Sequence, residues 1–441
     1  MARVLCVDFG STFTKAALVD TDDGALVATG SHPTTPGDIL DGYAAIRETV
    51  GAERVDDVIA CSSAGGGLRL AVVGYERVVT AEAGYRVGLS AGAKVVHVAA
   101  GALSAADVRA LRAARPDVVL LVGGTDGGNA EVLLHNARRL GSGRVPVVVA
   151  GNADASAQAA HELVSRGRRA IVTANVLPRI GVLDAEPARA AIREVFIRHV
   201  IGGKGLSRGP AFAAMVRAAT PDAVLAGVEA LADGAPGVPG VGDVIVVDVG
   251  GATTDVYSVI TPTGEDALLR KEVVQTMWRA RTVEGDLGVR WNAPGIVVAA
   301  QAEGLLAASD PLQEYAERVQ AAPSWIPTDP ADDAHLARLA VTVALRRHAR
   351  PAGPASAPRP LRDVRLVVGS GGVLRHNDSG LRSDVLSAVI TDHGGGWRVP
   401  RSARLAVDEN YVLFAAGLLA AEAPHAAAVL ATRGLQSVPC G

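Results

Sequence analysis

The chain has 441 residues, of which 49% are hydrophobic and 20% charged, and its formal net charge is −3. That length buries a large core and divides into two or more domains. A slightly acidic chain with 3% aromatic residues offers neither a basic field for nucleic acid or acidic lipid nor many base-stacking platforms.

ARVLCVDF at the start reads as a strand, with Cys6 a small buried hydrophobe in its apolar run. TKAALVD and ALVATGS follow as antiparallel strands, turned at Gly24 in TDDGA. DGYAAIRETVG reads as a helix and VDDVIACSS as a strand, so residues 1–78 form a mixed α/β unit. From residue 79 strands such as AKVVHVAA, PDVVLLVGG, VPVVVAGN and RRAIVTAN alternate regularly with helices, one of them capped by Ser104. Continuous apolar strands joined by helices predict a parallel sheet covered on both faces, and 79–178 reads as an inserted Rossmann-like α/β domain. Residues 179–242 read as a helical connector completing the first lobe. EPARAAIREVFIRHVI and AFAAMVRAA are its helices, and the Gly/Pro-rich stretch 233–242 is a surface loop. Residues 243–441 form a second α/β unit. Its strands are in GDVIVVDVGGATTDVYSVITPTG and RLVVGSGGVL, the Pro-rich 350–360 is a connector, and a final helix, NYVLFAAGLLAAEA, starts at Asp408 and Glu409.

Cys6, Cys61 and Cys440 are too few and too scattered for a disulfide framework or a zinc cluster. His97, His135, His161 and His376 are likewise scattered and read as packing or surface residues. No apolar run reaches the roughly 18 residues that span a bilayer, and the chain enters its first strand at once, without a signal peptide. A cytoplasmic protein with no membrane or nucleic-acid partner is expected.

Two stretches share one grammar: VDFGSTFTK at 7–15 and VDVGGATTD at 247–255. Each is an apolar strand ending in Val-Asp-x-Gly, then small or hydroxyl residues, then a second strand. Gly10, Gly250 and Gly251 let backbone approach an anion, and successive amides in such turns make an anion-binding concavity. Ser11, Thr12, Thr253 and Thr254 add hydroxyls, Lys15 can pair with a phosphate, and Asp8 and Asp248 can hold Mg²⁺ through its waters. One Asp-x-Gly turn is an ordinary hairpin turn; two, each in its own α/β unit, point to a shared phosphate grip. VVGSGGVLRH at 367–376 adds a strand-glycines-helix turn with Gly369, Gly371, Gly372 and Arg375, against which a flat ring can lie.

In this order the three loops resemble the actin/Hsp70/sugar-kinase superfamily. The resemblance implies duplicated actin-like ATPase (ribonuclease H-like) domains with the parallel α/β domain inserted. Sites 7–15 and 247–255 would be the phosphate loops and 369–375 the adenosine loop, for ATP or ADP with Mg²⁺. TVEGDLGVR at 282–290 falls where Hsp70-like members open a helix near the nucleotide; Glu284 and Asp286 are candidates there, or equally a helix N-cap with an acidic first turn. Gly417 in the final helix matches a close crossing of the second interdomain connector.

CSSAGGGLRL at 61–70 either contacts the terminal phosphate through Ser62 and Ser63 or merely turns the chain. LLVGGTDGGNAEVL at 120–133 suits an anion or a close-packed turn, and without GxGxxG it is not a dinucleotide site. With TANVLP, these motifs as a set resemble the glutamate mutase accessory protein L family, the MutL family of methylaspartate mutase operons, along essentially the whole chain. That resemblance implies an ATP-driven reactivating chaperone for an adenosylcobalamin-dependent mutase. With no DxHxxG signature, the chain is not expected to hold the cobalamin itself. A small-molecule kinase is the alternative, with Asp126 its one candidate base; a hydantoinase-like ring-opening enzyme ranks below it.

Overall fold

The structure is a computed structural model describing residues 2–10, 12–35, 37–52, 55–63, 68–76, 80–90, 93–196, 207, 210–261, 279–351, 359–395 and 399–439. The chain opens with β1 (Arg3–Phe9), β2 (Phe13–Asp20), β3 (Leu26–Pro33), α1 (Ile39–Thr49) and β4 (Asp57–Ser62). The β2–β3 turn uses Gly24 at φ +72°, as its place in TDDGA predicts.

An inserted sheet follows: β5 (Arg69–Gly74), α2 (Thr80–Ser90), β6 (Lys94–Ala100), α3 (Ala105–Ala113), β7 (Val118–Leu121), α4 (Glu131–Leu140), β8 (Val147–Val149), α5 (Ala153–Val164) and β9 (Ala170–Val172). Its order is β6-β5-β7-β8-β9, all parallel. The sheet starts at Arg69, ahead of the boundary expected at 79, because the apolar run LRLAVVG pairs with β6 and β7 and not with β4.

The chain then returns through α6 (Glu186–Val195), α7 (Pro210–Met215), β10 (Val216–Ala219), α8 (Thr220–Asp233), β11 (Gly234–Ala235) and β12 (Val238–Pro239). Two expectations change here. AFAAMVRAA is helical only to Met215, since Val216–Ala219 pairs in parallel with β4. The 233–242 stretch is a small β11–β12 ribbon, not a plain loop.

The second lobe holds β13 (Val244–Val249), β14 (Thr254–Val259), β15 (Arg279–Glu284), α9 (Ala293–Ala302), α10 (Leu312–Ala321), α11 (Ala331–Ala349), β16 (Leu366–Ser370), α12 (Gly372–Arg375), α13 (Ser379–Thr391), β17 (Arg404–Asp408), α14 (Leu413–Leu419), α15 (Pro424–Arg433) and β18 (Leu435–Val438). The Pro-rich connector at 350–360 lies mostly outside the described residues. The predicted last helix is shorter than read, and α15 and β18 follow it.

The two lobes repeat one topology. The first sheet runs β10-β4-β1-β2-β3; the second runs β17-β16-β13-β14-β15, with β18 added beyond β17. In each, the first three strands are antiparallel neighbours and the next two join in parallel. Strand periodicity explains the sides. Leu5, Val7 and Phe9 pack outward, as do Ile245, Val247 and Val249; Cys6, Val244 and Val246 pack inward. Asp8 and Asp248, two residues beyond Cys6 and Val246, therefore fall on the two inner faces.

Between those inner faces run α8 and α14, sharing a core with both sheets. They cross with almost no side chain between them. A Cβ at Gly227 would stand 1.9 Å from the Leu413 carbonyl oxygen, and one at Gly417 would stand 1.7 Å from that of Ala223. The close crossing expected at Gly417 is thus present, with Gly227 as its counterpart. Gly417→Ala is expected to cost about 1–3 kcal/mol through overpacking, read as a lowered denaturation midpoint. Gly37→Ala, where a Cβ meets nothing within 4 Å, should shift it little; equal behaviour of the two variants would refute the tight crossing.

Candidate functional site

The two Asp-x-Gly turns are built alike. The Gly10 amide donates to the Phe13 carbonyl at 3.1 Å and the Gly250 amide to the Thr253 carbonyl at 2.9 Å. A Cβ at either glycine would crowd that carbonyl, at 2.5 and 2.9 Å. The turns face each other: a Cβ at Gly251 would come within 3.9 Å of the Thr12 hydroxyl. Among the described residues, the amides of Thr12, Gly251 and Ala252 donate to no protein acceptor. Unsatisfied amides on facing glycine turns suit an anion. Ser11 lies outside the described residues.

Each turn is buttressed from behind. The Thr34 hydroxyl donates to the Gly10 carbonyl at 2.8 Å, and the Ser62 hydroxyl to that of Phe9 at 3.2 Å. Ser62 thus supports the first turn, and the Ser63 amide joins it at the Phe9 carbonyl. The second turn is held by 285–292. The Val289 amide binds the Gly250 carbonyl, the Arg290 and Trp291 amides bind that of Gly251, and the Asn292 amide group binds those of Ala252 and Gly285.

TVEGDLGVR therefore does not open a helix directly. Its first half completes β15, and α9 begins only at Ala293. Glu284 and Asp286 are both clamped by Arg347 of α11, at 2.7 and 2.8 Å. Thr254 also departs from its expected role. Its hydroxyl is buried and donates to the Leu287 carbonyl at 2.6 Å. Alternation along β14 explains this: Val256 packs outward and Tyr257 inward, so Thr254 is an outer residue and Asp255 an inner one.

Asp8 is buried and accepts three donors: Thr220 at 2.5 Å, Cys61 at 3.5 Å and Tyr411 at 3.3 Å. Burial pushes its carboxyl up, opposed by Lys15 and the three hydrogen bonds. Lys15 stands opposite Asp8 in the β1–β2 register, and its ammonium lies 3.4 Å from the centre of the Tyr411 ring. Burial pulls the ammonium down, while Asp8, Asp248 and Asp408 hold it up. Asp408 caps α14, accepting from the Val412 and Leu413 amides at 2.8 and 3.1 Å.

The third loop ends beside this cluster. Gly371, at φ +104°, lies against the Val249 carbonyl, where a Cβ would be 2.1 Å away. Gly369 packs on Leu374 and Leu386, whereas Gly372 faces open space. Arg375 donates to the Glu409 carbonyl at 2.8 Å and sits 5.5 Å from the Tyr411 ring. The structure therefore brings Asp8, Lys15, Asp248, Arg375 and Tyr411 together, sets Gly251 of the second turn near Thr12 of the first, and lays Gly371 against the end of β13.

Four residues of this site were not picked out from the sequence: Thr220, Tyr411, Ser370 and Asp255. Asp255 stands opposite Asp248 in the β13–β14 register, the place Lys15 holds opposite Asp8. One of its oxygens takes Arg281 at 3.0 Å and Tyr257 at 3.3 Å; the other is buried and has no partner among the described residues. The Ser370 hydroxyl is also buried and unpartnered. Superposing VDFGSTFTK on VDVGGATTD would have singled out Asp255. In the insertion, Asp126 accepts from the Ala153 amide at 2.9 Å and from Asn175 at 2.8 Å. Through one oxygen it fastens the 123–128 turn, a structural role for the one candidate base of the kinase reading.

Two lobes of one topology, crossed by paired helices and closing matched Asp-x-Gly turns on a shared cleft, define the duplicated actin-like ATPase fold. The family within it is also defined: a family model described as MutL protein matches residues 4–435. The chain is 34% identical over 463 residues to Protein MutL of Clostridium tetanomorphum, covering 97% of this chain and 98% of that one. It belongs to the MutL family. Among solved structures it is similar to a nucleotide-free acetone carboxylase, at 15% identity over 95% of this chain and 70% of that one, TM-score 0.39. It is also similar to the activator of the 2-hydroxyisocaproyl-CoA dehydratase from Clostridium difficile with bound ADPNP, at 10% identity over 98% and 95%, TM-score 0.31. At these scores the fold assignment rests on the strand order above. Among the described residues no helix is long and apolar enough to cross a membrane.

Burial, reinforced by Asp255, Asp408 and Asp8 and opposed by Lys15, raises the Asp248 carboxyl to about 6. Between the usual carboxylate range and that value the folded state binds more protons than the unfolded one, so stability falls as pH rises through the window. Without nucleotide or divalent cation, Asp248→Asn should match the parent below about pH 4 and exceed it above about pH 6, by on the order of 1–2 kcal/mol after solvent screening. Denaturation midpoints across that range check this; a constant difference at every pH would refute it.

Proposed function

We propose that this chain binds ATP and ADP with Mg²⁺ in the interlobe cleft and uses them to set the angle between its lobes, as a reactivating accessory of an adenosylcobalamin-dependent mutase. The observation that carries the reading is the facing pair of glycine turns with unsatisfied amides, one from each copy of a duplicated lobe. The residues fit the ligand. Gly10, Ser11, Thr12, Gly250, Gly251 and Thr253 would hold phosphates, with Lys15 beside them. Gly371, Gly372 and Arg375 would border the adenosine, the open space at Gly372 giving it room, with Gly369 packed behind them on Leu374 and Leu386. Thr254, Glu284 and Asp286 would act one layer back, by shaping the second turn.

Asp8 and Asp248 would hold Mg²⁺ through water. Mg²⁺ keeps much of its hydration, so two carboxylates acting through water would suffice. Bound ATP supplies a terminal phosphate that ADP lacks. A ligand shifts the lobe angle only by its differential affinity for the two states, and contacts from Thr12 and Thr253 on opposite lobes are suited to make that difference. Family membership supports the accessory role, and the motif resemblance to the methylaspartate mutase operon family supports the choice of partner.

Titration calorimetry with ATP and ADP, with and without Mg²⁺, tests the cleft. Asp8→Asn should abolish Mg²⁺-dependent binding while the fold persists. Immobilised protein should then retain an adenosylcobalamin-dependent mutase differently in ATP, in ADP and without nucleotide. Equal retention in all three states would sink the accessory reading, and unchanged binding by Asp8→Asn would sink the metal role.

A further inference from the structure

The inserted sheet has a second end that the cleft does not use. β7, β8 and β9 run in parallel with Val119 beside Val147 and Val147 beside Ala170. The loops leading into them, 114–117, 141–146 and 165–169, therefore meet at one edge, opposite the glycine turn at 123–128. That edge is built from arginine. Arg112, Arg115, Arg144, Arg166 and Arg169 are exposed there, and Arg168 is buried at 5% exposure. The acids nearby are engaged: Asp117 accepts the Arg69 amide at 2.9 Å, and Glu162 pairs with Arg138 and Arg166.

Arg168 is the informative residue. Its Nε and Nη1 are buried and, among the described residues, have no hydrogen-bond partner. No carboxylate acts on it; the charge that does is Arg112, which with burial holds the guanidinium below its ordinary value. The group lies over Gly143, where a Cβ would stand 2.1 Å from Nη2. A buried unpaired cation is costly, and folded chains rarely keep one without a use. Arg115 adds strain, since it holds φ +44° at the end of α3, where glycine is the usual occupant.

We propose that this arginine edge is a docking face for an acidic segment of a protein partner, one carboxylate of which enters beside Arg168. Guanidinium groups pair with carboxylates through two parallel hydrogen bonds. Residues 101–170 contain no Phe, Trp or Tyr on which a base could stack, and no Lys, which favours protein carboxylates over nucleic acid. The chain as a whole carries a formal net charge of −3, so this basic edge runs against its overall charge. The face stands whether or not the cleft binds nucleotide, and the test is run without nucleotide.

Fluorescence anisotropy of a labelled oligoglutamate peptide with the full chain, at low salt, reads the interaction. The parent should bind, and added salt should weaken it. Arg168→Met should weaken binding about tenfold or more and should melt no lower than the parent, because it removes an unpaired buried cation. The exposed pair Arg112→Glu with Arg144→Glu, which leaves the core untouched, should also lose binding. Failure of the parent to bind oligoglutamate, or equal binding by both variants, would overturn the proposal. So would inorganic phosphate or a DNA duplex binding as tightly as the peptide at matched charge.

Discussion

The Asp8 carboxylate is the point on which the two lobes and their connectors converge. It belongs to β1 of the first lobe. Its donors are Cys61 from the neighbouring strand, Thr220 from the first residue of α8, and Tyr411 from just before α14. One buried carboxylate thus ties a sheet to the beginnings of both crossing helices. A buried charge is costly unless so satisfied. A ligand that drew on Asp8, as proposed above, would compete with these three bonds and so act on the seating of the connectors.

Duplication makes the site, and departures from it make the site chemically uneven. Asp8 and Asp248 occupy the same place in the two hairpins, but their cross-strand neighbours are Lys15 and Asp255. On the first lobe the acid faces a cation; on the second it faces another acid, whose second oxygen has no partner among the described residues. On the second lobe the counter-charge reaches Asp255 from Arg281, and Asp248 has no cation opposite it in the register. Phosphates bound there, as proposed above, would meet Lys15 and the turn amides. The unevenness gives the cleft a direction that two identical halves could not.

Much of this was legible in the sequence, for physical reasons that differ by element. Asp8 and Asp248 stand out because strand, acid and glycine recur with one spacing, and alternation alone puts both on inner faces. The same alternation, counted one residue further, separates the buttressing Thr254 from the cleft-facing Asp255. β10 was hidden because VRAA has no period of its own and becomes a strand only by pairing with β4. β15 was not read as a strand, because its register is set by β14 and TVEG looked like the opening of a helix. Thr220 and Tyr411 reach Asp8 from 212 and 403 residues away, and no local pattern encodes that distance.

The insertion is mechanically part of the first lobe. Leu70, Val72, Val118, Leu120 and Val122 of its sheet share one core with Leu5, Val7 and Phe9 of β1. Packed interiors move as units, because their side chains interdigitate at crystal-like density. Yet α2 of the insertion also lies against β15, the edge strand of the second lobe. A change in lobe angle must then either slide α2 along β15 or part them. Either way the displacement reaches the inserted sheet as a whole, and its arginine edge, at the end of β7 to β9 away from the glycine turn, moves relative to the second lobe. A domain fused to one lobe and touching the other is the arrangement by which a small rotation at a cleft becomes a displacement of a distant surface.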